Sequence, residues 1–247
     1  MLQVDGHPPR PEAILLDFGG TILRPIQFNR RRGIAAVLEY ATPPAGTMLD
    51  AAVALSEQLT RTIDAQLEGS TLEYSQRAFQ RLLYESLGVR FDVPQELLEI
   101  VYWNEAITME PEPGVAAVLE TVSNAGLPMA VLSNSAFHAP VLEQALSAVG
   151  LRDYFRFVLA TADYGVRKPA PEIFAVALKR LQVEARACWY IGNAEEFDVA
   201  GAQAAGCYPV WYDHVGEGSS VPAAGARIES WSELPALLAR AGVQVAS

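Results

Sequence analysis

Cysteine is nearly absent from this chain: Cys188 and Cys207 are the only two in 247 residues. Two cysteines build neither a disulfide framework nor a zinc site, and their apolar neighbours favour buried packing over reactivity. Histidine is as scarce, with His7, His138 and His214 at no ligand spacing. Long hydrophobic runs are missing. None approaches the ~20 apolar residues that cross a bilayer, so no membrane role is expected. Basic residues are the minority charge, 18 against 29 acidic, for a net charge of −11. That balance argues against a nucleic-acid partner, which usually meets a basic face. The segment Met1 to Glu12 is polar and proline-rich, unlike a signal peptide, and a cytoplasmic protein is expected.

What is abundant is apolar residue content, at 51%. That suffices for one α/β domain carrying a smaller inserted one. Short apolar runs read as strands at Ala13–Phe18, Pro128–Ser133, Phe157–Ala160, Cys188–Gly192 and Tyr208–Tyr212. Helical patterns lie between them at Gly114–Ala125, Ala139–Val149, Pro171–Leu181, Asp198–Ala205 and Ser232–Ala241. The alternation predicts a doubly wound, Rossmann-like parallel sheet with helices on both faces. Gly126, Gly150, Gly206 and Gly242 sit where helices end. From about Phe28 to Met109 no strand is evident; Met48–Leu67, Leu72–Leu87 and Pro94–Ile107 are amphipathic instead. The chain therefore divides into a sheet domain (12–26 and 110–247) and an inserted α-helical cap (27–109) over the carboxyl edge of the sheet. Gly216–Gly225 reads as a loop before the last helix.

Four segments end at that same edge. The first strand delivers Asp17 to its tip, followed by Gly19, Gly20 and Thr21. The second ends in Ser133-Asn134-Ser135. A third holds Arg167 and Lys168 just before Pro169 and a helix. The fourth runs Gly192-Asn193-Ala194-Glu195-Glu196-Phe197-Asp198. In open α/β sheets ligands bind at the carboxyl ends of the strands. A carboxylate, a hydroxyl, a lysine and a polar loop in one crevice suit an anionic substrate and a hard cation. Asp198 also stands where a carboxylate caps a helix, and Thr21 where a hydroxyl stabilises a turn. Arg24 and Arg30-Arg31-Arg32 form a basic cluster, read either as a solvated helix start or as an anion-recognition patch. Tyr74, Phe79, Tyr84, Tyr102 and Trp103 fall on helical patterns and read as packing residues of the insertion.

On these four motifs, in this order and with this insertion, the chain resembles the haloacid dehalogenase superfamily of hydrolases, in the branch with a helical cap after the first motif. The resemblance covers roughly residues 12 to 242. It implies a hydrolase that splits a small phosphate monoester through an aspartyl-phosphate on Asp17, with Lys168 neutralising charge. It implies substrate contacts from Thr21, Ser133 and Asn134, and Mg²⁺ held by Asp17, the Gly19 carbonyl, Asn193 and Asp198.

Two positions depart from that pattern. The second aspartate, general acid of most such phosphatases, is replaced by Gly19, and the first acid of the fourth motif by the neutral Asn193. Weaker Mg²⁺ binding follows, and activity is expected to survive on good leaving groups or with an acid from the cap, Glu195 or Glu196. Two rival readings stand beside the phosphatase: a 2-haloacid dehalogenase using Asp17 without metal, and a catalytically silent relative that binds a ligand or a protein partner.

Overall fold

The computed structural model describes residues 8–214, 216 and 225–245. His7 and most of the expected loop at 216–225 lie outside the described residues. The sheet contains β1 (Ala13–Leu16), β4 (Met129–Ser133), β5 (Phe155–Ala160), β6 (Cys188–Gly192), β7 (Tyr208–Tyr212) and β8 (Ala226–Ile228). Their order is β5-β4-β1-β6-β7-β8, and every pairing is parallel. The chain winds outward from β1 through β4 to β5, then crosses back to β6, β7 and β8. The crossing puts the switch point beside β1, where such sheets open a crevice.

Both faces of the sheet are covered, so its strands are apolar throughout rather than alternating. Ile14 and Leu16 face one core, with residues of α5 (Val115–Asn124), α6 (Ala139–Ala148) and α9 (Leu234–Arg240). Ala13 and Leu15 face the other, with α7 (Pro171–Leu181). Cys188 and Cys207 are free thiols buried in that second core. Helix α7 starts where the sequence predicts, because Pro171 fits a first turn and lacks the N–H that the turn would leave unpaired. Glu172 in its first turn and Lys179 and Arg180 in its last also complement the helix dipole.

The insertion is helical, with four helices instead of three: α1 (Arg30–Leu38), α2 (Leu49–Leu67), α3 (Gln76–Ser86) and α4 (Gln95–Ala106). They share a core of their own, including Ile34, Val37, Ala52, Leu83 and Leu98. Helix α1 begins at the arginine cluster, capped by the Asn29 side chain on the Arg32 N–H. Helix α3 starts four residues later than its pattern suggests, because Ser75 caps it. The skipped residues form a strap: Leu72 pairs with Val166, and the Thr71 carbonyl accepts the Arg167 N–H at 2.8 Å.

Two further strands contradict the strand-free reading of the insertion's ends. β2 (Leu23–Phe28) and β3 (Ile107–Pro111) form an antiparallel ribbon that carries the chain out to the helices and back. β2 is exposed beyond Leu23 and interrupted by Pro25 with a register shift. An exposed two-stranded ribbon has no apolar face to write a period into the sequence. β8 was likewise unread, being three residues long.

Candidate active site

Asp17 leaves the end of β1 with its backbone N–H donating to the Ile191 carbonyl of β6 at 2.8 Å. The turn beyond it requires Gly20, whose φ is +75° and which packs against the Asn193 amide. Lys168 reaches Asp17 from the loop before α7. Its ammonium nitrogen Nζ stands 2.7 Å from Asp17 Oδ1, 2.6 Å from Asp198 Oδ1, 2.6 Å from the Tyr190 hydroxyl and 3.1 Å from the Leu132 carbonyl. Asp17, Lys168 and Asp198 are 7%, 1% and 1% exposed, so one cation is enclosed with two carboxylates.

The electrostatics follow from that imbalance. Burial raises the Asp17 pKa; Lys168 lowers it, Asp198 raises it again, and the result is about 6. For Lys168, burial alone would lower the pKa. The two carboxylates outweigh burial and hold it above the ordinary lysine value. Tyr190 is raised well above its usual value by burial and then by Asp198 and Asp17, so its hydroxyl stays protonated.

Asp198 is brought to the cavity beside Lys168. It lies inside a wide π-type turn over Glu195–Val199, not at a helix start. Its Oδ1 accepts from Lys168 and Tyr190, and its Oδ2 accepts the Ala194 N–H at 2.9 Å. Both oxygens thus accept hydrogen bonds, as both oxygens of Asp17 do, and Asp198 anchors Lys168 from the wall of the cavity. Gly192 is required beside it, because a Cβ there would collide with the Asp198 carboxyl.

Asn134 lines the cavity, and its side chain has a further role. Its side chain accepts from the Lys168 backbone N–H at 2.8 Å and donates to the Lys168 carbonyl at 3.1 Å. That reciprocal pair fixes the lysine loop against the end of β4. Thr21 is fully buried, with its hydroxyl 3.3 Å from Asp17 Oδ2 and 3.2 Å from Asn193 Oδ1. It joins two site residues behind the cavity and does not line it. Ser133, at the tip of β4, does line it.

The cavity holds about 340 Å³ and is bounded by Asp17, Gly19, Ser133, Lys168 and Asn193 at its polar end. Phe18, Trp103, Met109, Leu142 and Phe197 supply apolar walls. Arg167 completes the lining, with its guanidinium over the Phe197 ring at 5.4 Å. Its Nε is buried without a hydrogen bond, and the Glu73 carboxylate lies 3.8 Å away. Sequence reasoning missed Tyr190, which looks like any aromatic in a buried strand, while Trp103, read as a packing residue of the insertion, lines the cavity. Arg167 was legible only as a neighbour of Lys168. Glu195 and Glu196 are exposed and do not line the cavity, so neither stands in for the missing acid. Arg24, Arg31 and Arg32 pair with Glu110, Asp50 and Glu105 on the surface, which is the solvated reading of that cluster.

Among the described residues no group of three or more His, Cys, Asp or Glu side chains could hold a metal. The oxygen donors on the cavity are Asp17, Asn193, Asp198 and the Gly19 backbone. That set fits Mg²⁺, with substrate oxygens and waters completing the shell.

A carboxylate at the tip of β1 is met by the lysine before α7 and the loop after β6, and comparison with known sequences places the chain in a family. The sequence model of the haloacid dehalogenase-like hydrolases matches residues 11–206. The chain belongs to that family. Among curated relatives of this family, phosphoserine phosphatase of Thermus thermophilus is 30% identical over 57% of this chain and 55% of its own. Haloacid dehalogenase-like hydrolase domain-containing protein 3 of Bos taurus is 40% identical over 38% of this chain and 37% of its own. These matches thus span about a third to a half of those relatives' length. A solved 2-haloacid dehalogenase from Pseudomonas syringae pv. Tomato superimposes with a TM-score of 0.65 at 25% identity, covering 93% of this chain and 99% of that one. No helix among the described residues is long and apolar enough to cross a membrane.

Proposed function

We propose that this chain hydrolyses a small phosphate monoester by covalent catalysis on Asp17, with the helical insertion as the cap of the site. The observation that carries the proposal is Asp17 at the floor of a cavity whose lining also contains Ser133 and two cations, Lys168 and Arg167. A carboxylate nucleophile needs its charge held in place while an anion approaches, and adjacent cations serve that purpose.

In the first step an Asp17 oxygen attacks phosphorus and the ester oxygen departs with the bonding pair. Lys168, bonded to Oδ1, and Thr21, bonded to Oδ2, hold the carboxylate in place, and Lys168 offsets the charge gathered at the transition state. The Ser133 hydroxyl holds a phosphoryl oxygen. Asp198 and Tyr190 keep Lys168 from swinging away. Gly19 offers no proton to the leaving oxygen, which favours esters whose alcohol leaves readily. In the second step water splits the aspartyl-phosphate, releasing inorganic phosphate and restoring Asp17. When bound, Mg²⁺ at Asp17, Asn193, Asp198 and the Gly19 carbonyl would draw charge from the phosphoryl oxygens.

Arg167 narrows the substrate class to small acids. A guanidinium beside the nucleophile suits a carboxylate on the substrate. The names of the relatives, a phosphoserine phosphatase and a 2-haloacid dehalogenase, support this, because both name small carboxylic acids. A second reading, metal-free attack of Asp17 on the halogen-bearing carbon of a 2-haloacid, is favoured by Gly19 in place of a second aspartate.

The test is phosphate release from p-nitrophenyl phosphate and from a panel of phosphorylated small acids, with Mg²⁺ and with chelator, beside halide release from 2-chloropropionate. The expectation is Mg²⁺-stimulated phosphate release that Asp17→Asn abolishes. Halide release without phosphate release would transfer the assignment to the second reading. Silence in both assays would leave a binding protein.

A further inference from the structure

A second cavity, of about 170 Å³, lies within the helical insertion. None of the residues lining it lines the catalytic cavity. Phe137 separates the two, facing Tyr102 of this cavity at 6.2 Å and Trp103 of the other at 4.8 Å between ring centroids.

The lining contains polar groups that the fold leaves unsatisfied. Gln80, on α3, is 1% exposed, and neither its amide oxygen nor its amide nitrogen has a hydrogen-bond partner. One turn further, Tyr84 is 2% exposed and its hydroxyl is equally without one. Buried amides and phenols in native proteins nearly always have a protein or solvent partner. A helical bundle with nothing to bind would hold Leu and Phe at these two positions at no loss. Arg30, at the start of α1, lines the same cavity with its guanidinium over the Phe28 ring and bonded to the Tyr102 hydroxyl, and makes no ion pair with any described residue, while Arg24, Arg31 and Arg32 are paired. Ile34, Phe79 and Leu83 form apolar wall.

We propose that this cavity is a binding site for a small organic acid with a branched apolar body and a hydrogen-bonding substituent, an amino or hydroxy acid. Its carboxylate pairs with Arg30. Its body lies along Ile34, Phe79 and Leu83. Its amino or hydroxyl group meets Gln80 and Tyr84, where an amide oxygen accepts and an amide nitrogen donates. Ser56, Thr60, Tyr74, Gln76 and Tyr102 supply further polar groups around the same space. The site stands on these residues and does not depend on the chemistry proposed at Asp17.

The test is isothermal titration with L-leucine, L-valine and 2-hydroxyisocaproate, with isobutanol as the control lacking a carboxylate. At least one acid is expected to bind the wild-type chain more tightly than about 1 mM, and isobutanol is not. Binding should weaken about tenfold or more in Gln80→Leu, Tyr84→Phe and Arg30→Gln, and persist in Asp17→Asn. Tyr84→Phe removes a single oxygen, so it keeps the test valid should a larger change disturb folding; circular dichroism checks each variant. Absence of binding by all three acids overturns the proposal, as does binding indifferent to Gln80→Leu and Tyr84→Phe. Binding that disappears in Asp17→Asn would put the acid in the catalytic cavity and overturn it too.

Discussion

Replacing Asp17 by asparagine should make this protein more stable. Asp17 and Asp198 share one buried cation, so the folded chain encloses a net negative charge. The cost appears in Asp17, whose pKa rises from an ordinary 3.8 to about 6 through burial, against the pull of Lys168. That shift of roughly two units corresponds to about 3 kcal/mol at 1.36 kcal/mol per unit. Because the folded pKa is the higher one, the folded chain binds the proton more tightly. Wild-type stability is therefore fully present below pH 3.8, falls as pH rises toward 6, and levels off above. Asp17→Asn fixes the neutral form and keeps an oxygen for Lys168, which also retains Asp198 at 2.6 Å. At pH 7.5 the variant should exceed wild type by about 2–3 kcal/mol, or on the order of 5–10 °C in Tm for a chain of this size. At pH 4.5 the gap should shrink to less than half. Thermal unfolding followed by calorimetry at both pH values measures it. A variant less stable than wild type at pH 7.5, or a gap independent of pH, would refute the charge imbalance.

Turnover should require ionised Asp17, so kcat/KM is expected to rise with pH through about 6 and then flatten, as a pH–rate profile would record. Lys168→Met leaves two buried carboxylates without their cation; it should abolish turnover and cost about 3–5 kcal/mol in denaturant titration. Gly19→Asp meets no atom within 4 Å of its Cβ, so the site has room for the absent acid. If Asp17 acts on phosphate esters, this variant should raise phosphate release by about 10²-fold or more, most on poor leaving groups. Arg167→Gln is expected to raise KM about tenfold for a phosphorylated carboxylic acid relative to p-nitrophenyl phosphate, as steady-state kinetics on the two substrates would show.

The sequence made much of the fold legible because buried parallel strands are short, apolar and bounded by turn residues. Cys188–Gly192 and Tyr208–Tyr212 were read to the residue, and β1, β4 and β5 to within two. The four motif segments were legible for the same reason: each polar residue follows directly on an apolar strand or precedes a helix signalled by proline. The β2–β3 ribbon was not legible, since its residues are largely exposed and Pro25 breaks its pattern. Nor was His138, whose ring bonds Glu99 of α4 at 2.9 Å and the Ser75 hydroxyl at 3.3 Å, across a fold that no local spacing encodes.

By itself the sequence determined the sheet, the helical insertion and the four segments that meet at one edge, because periodicity and turn chemistry act over a few residues. The tertiary structure alone decided what those residues do to one another. It turned Asp198 onto Lys168, set Asn134 to hold the lysine loop and moved Thr21 behind the cavity. It also brought Tyr190 and Arg167 beside them. These are relations between side chains as many as 172 positions apart, as for Thr21 and Asn193. Their directions are set by packing and by charge excluded from water, which no stretch of the chain carries alone.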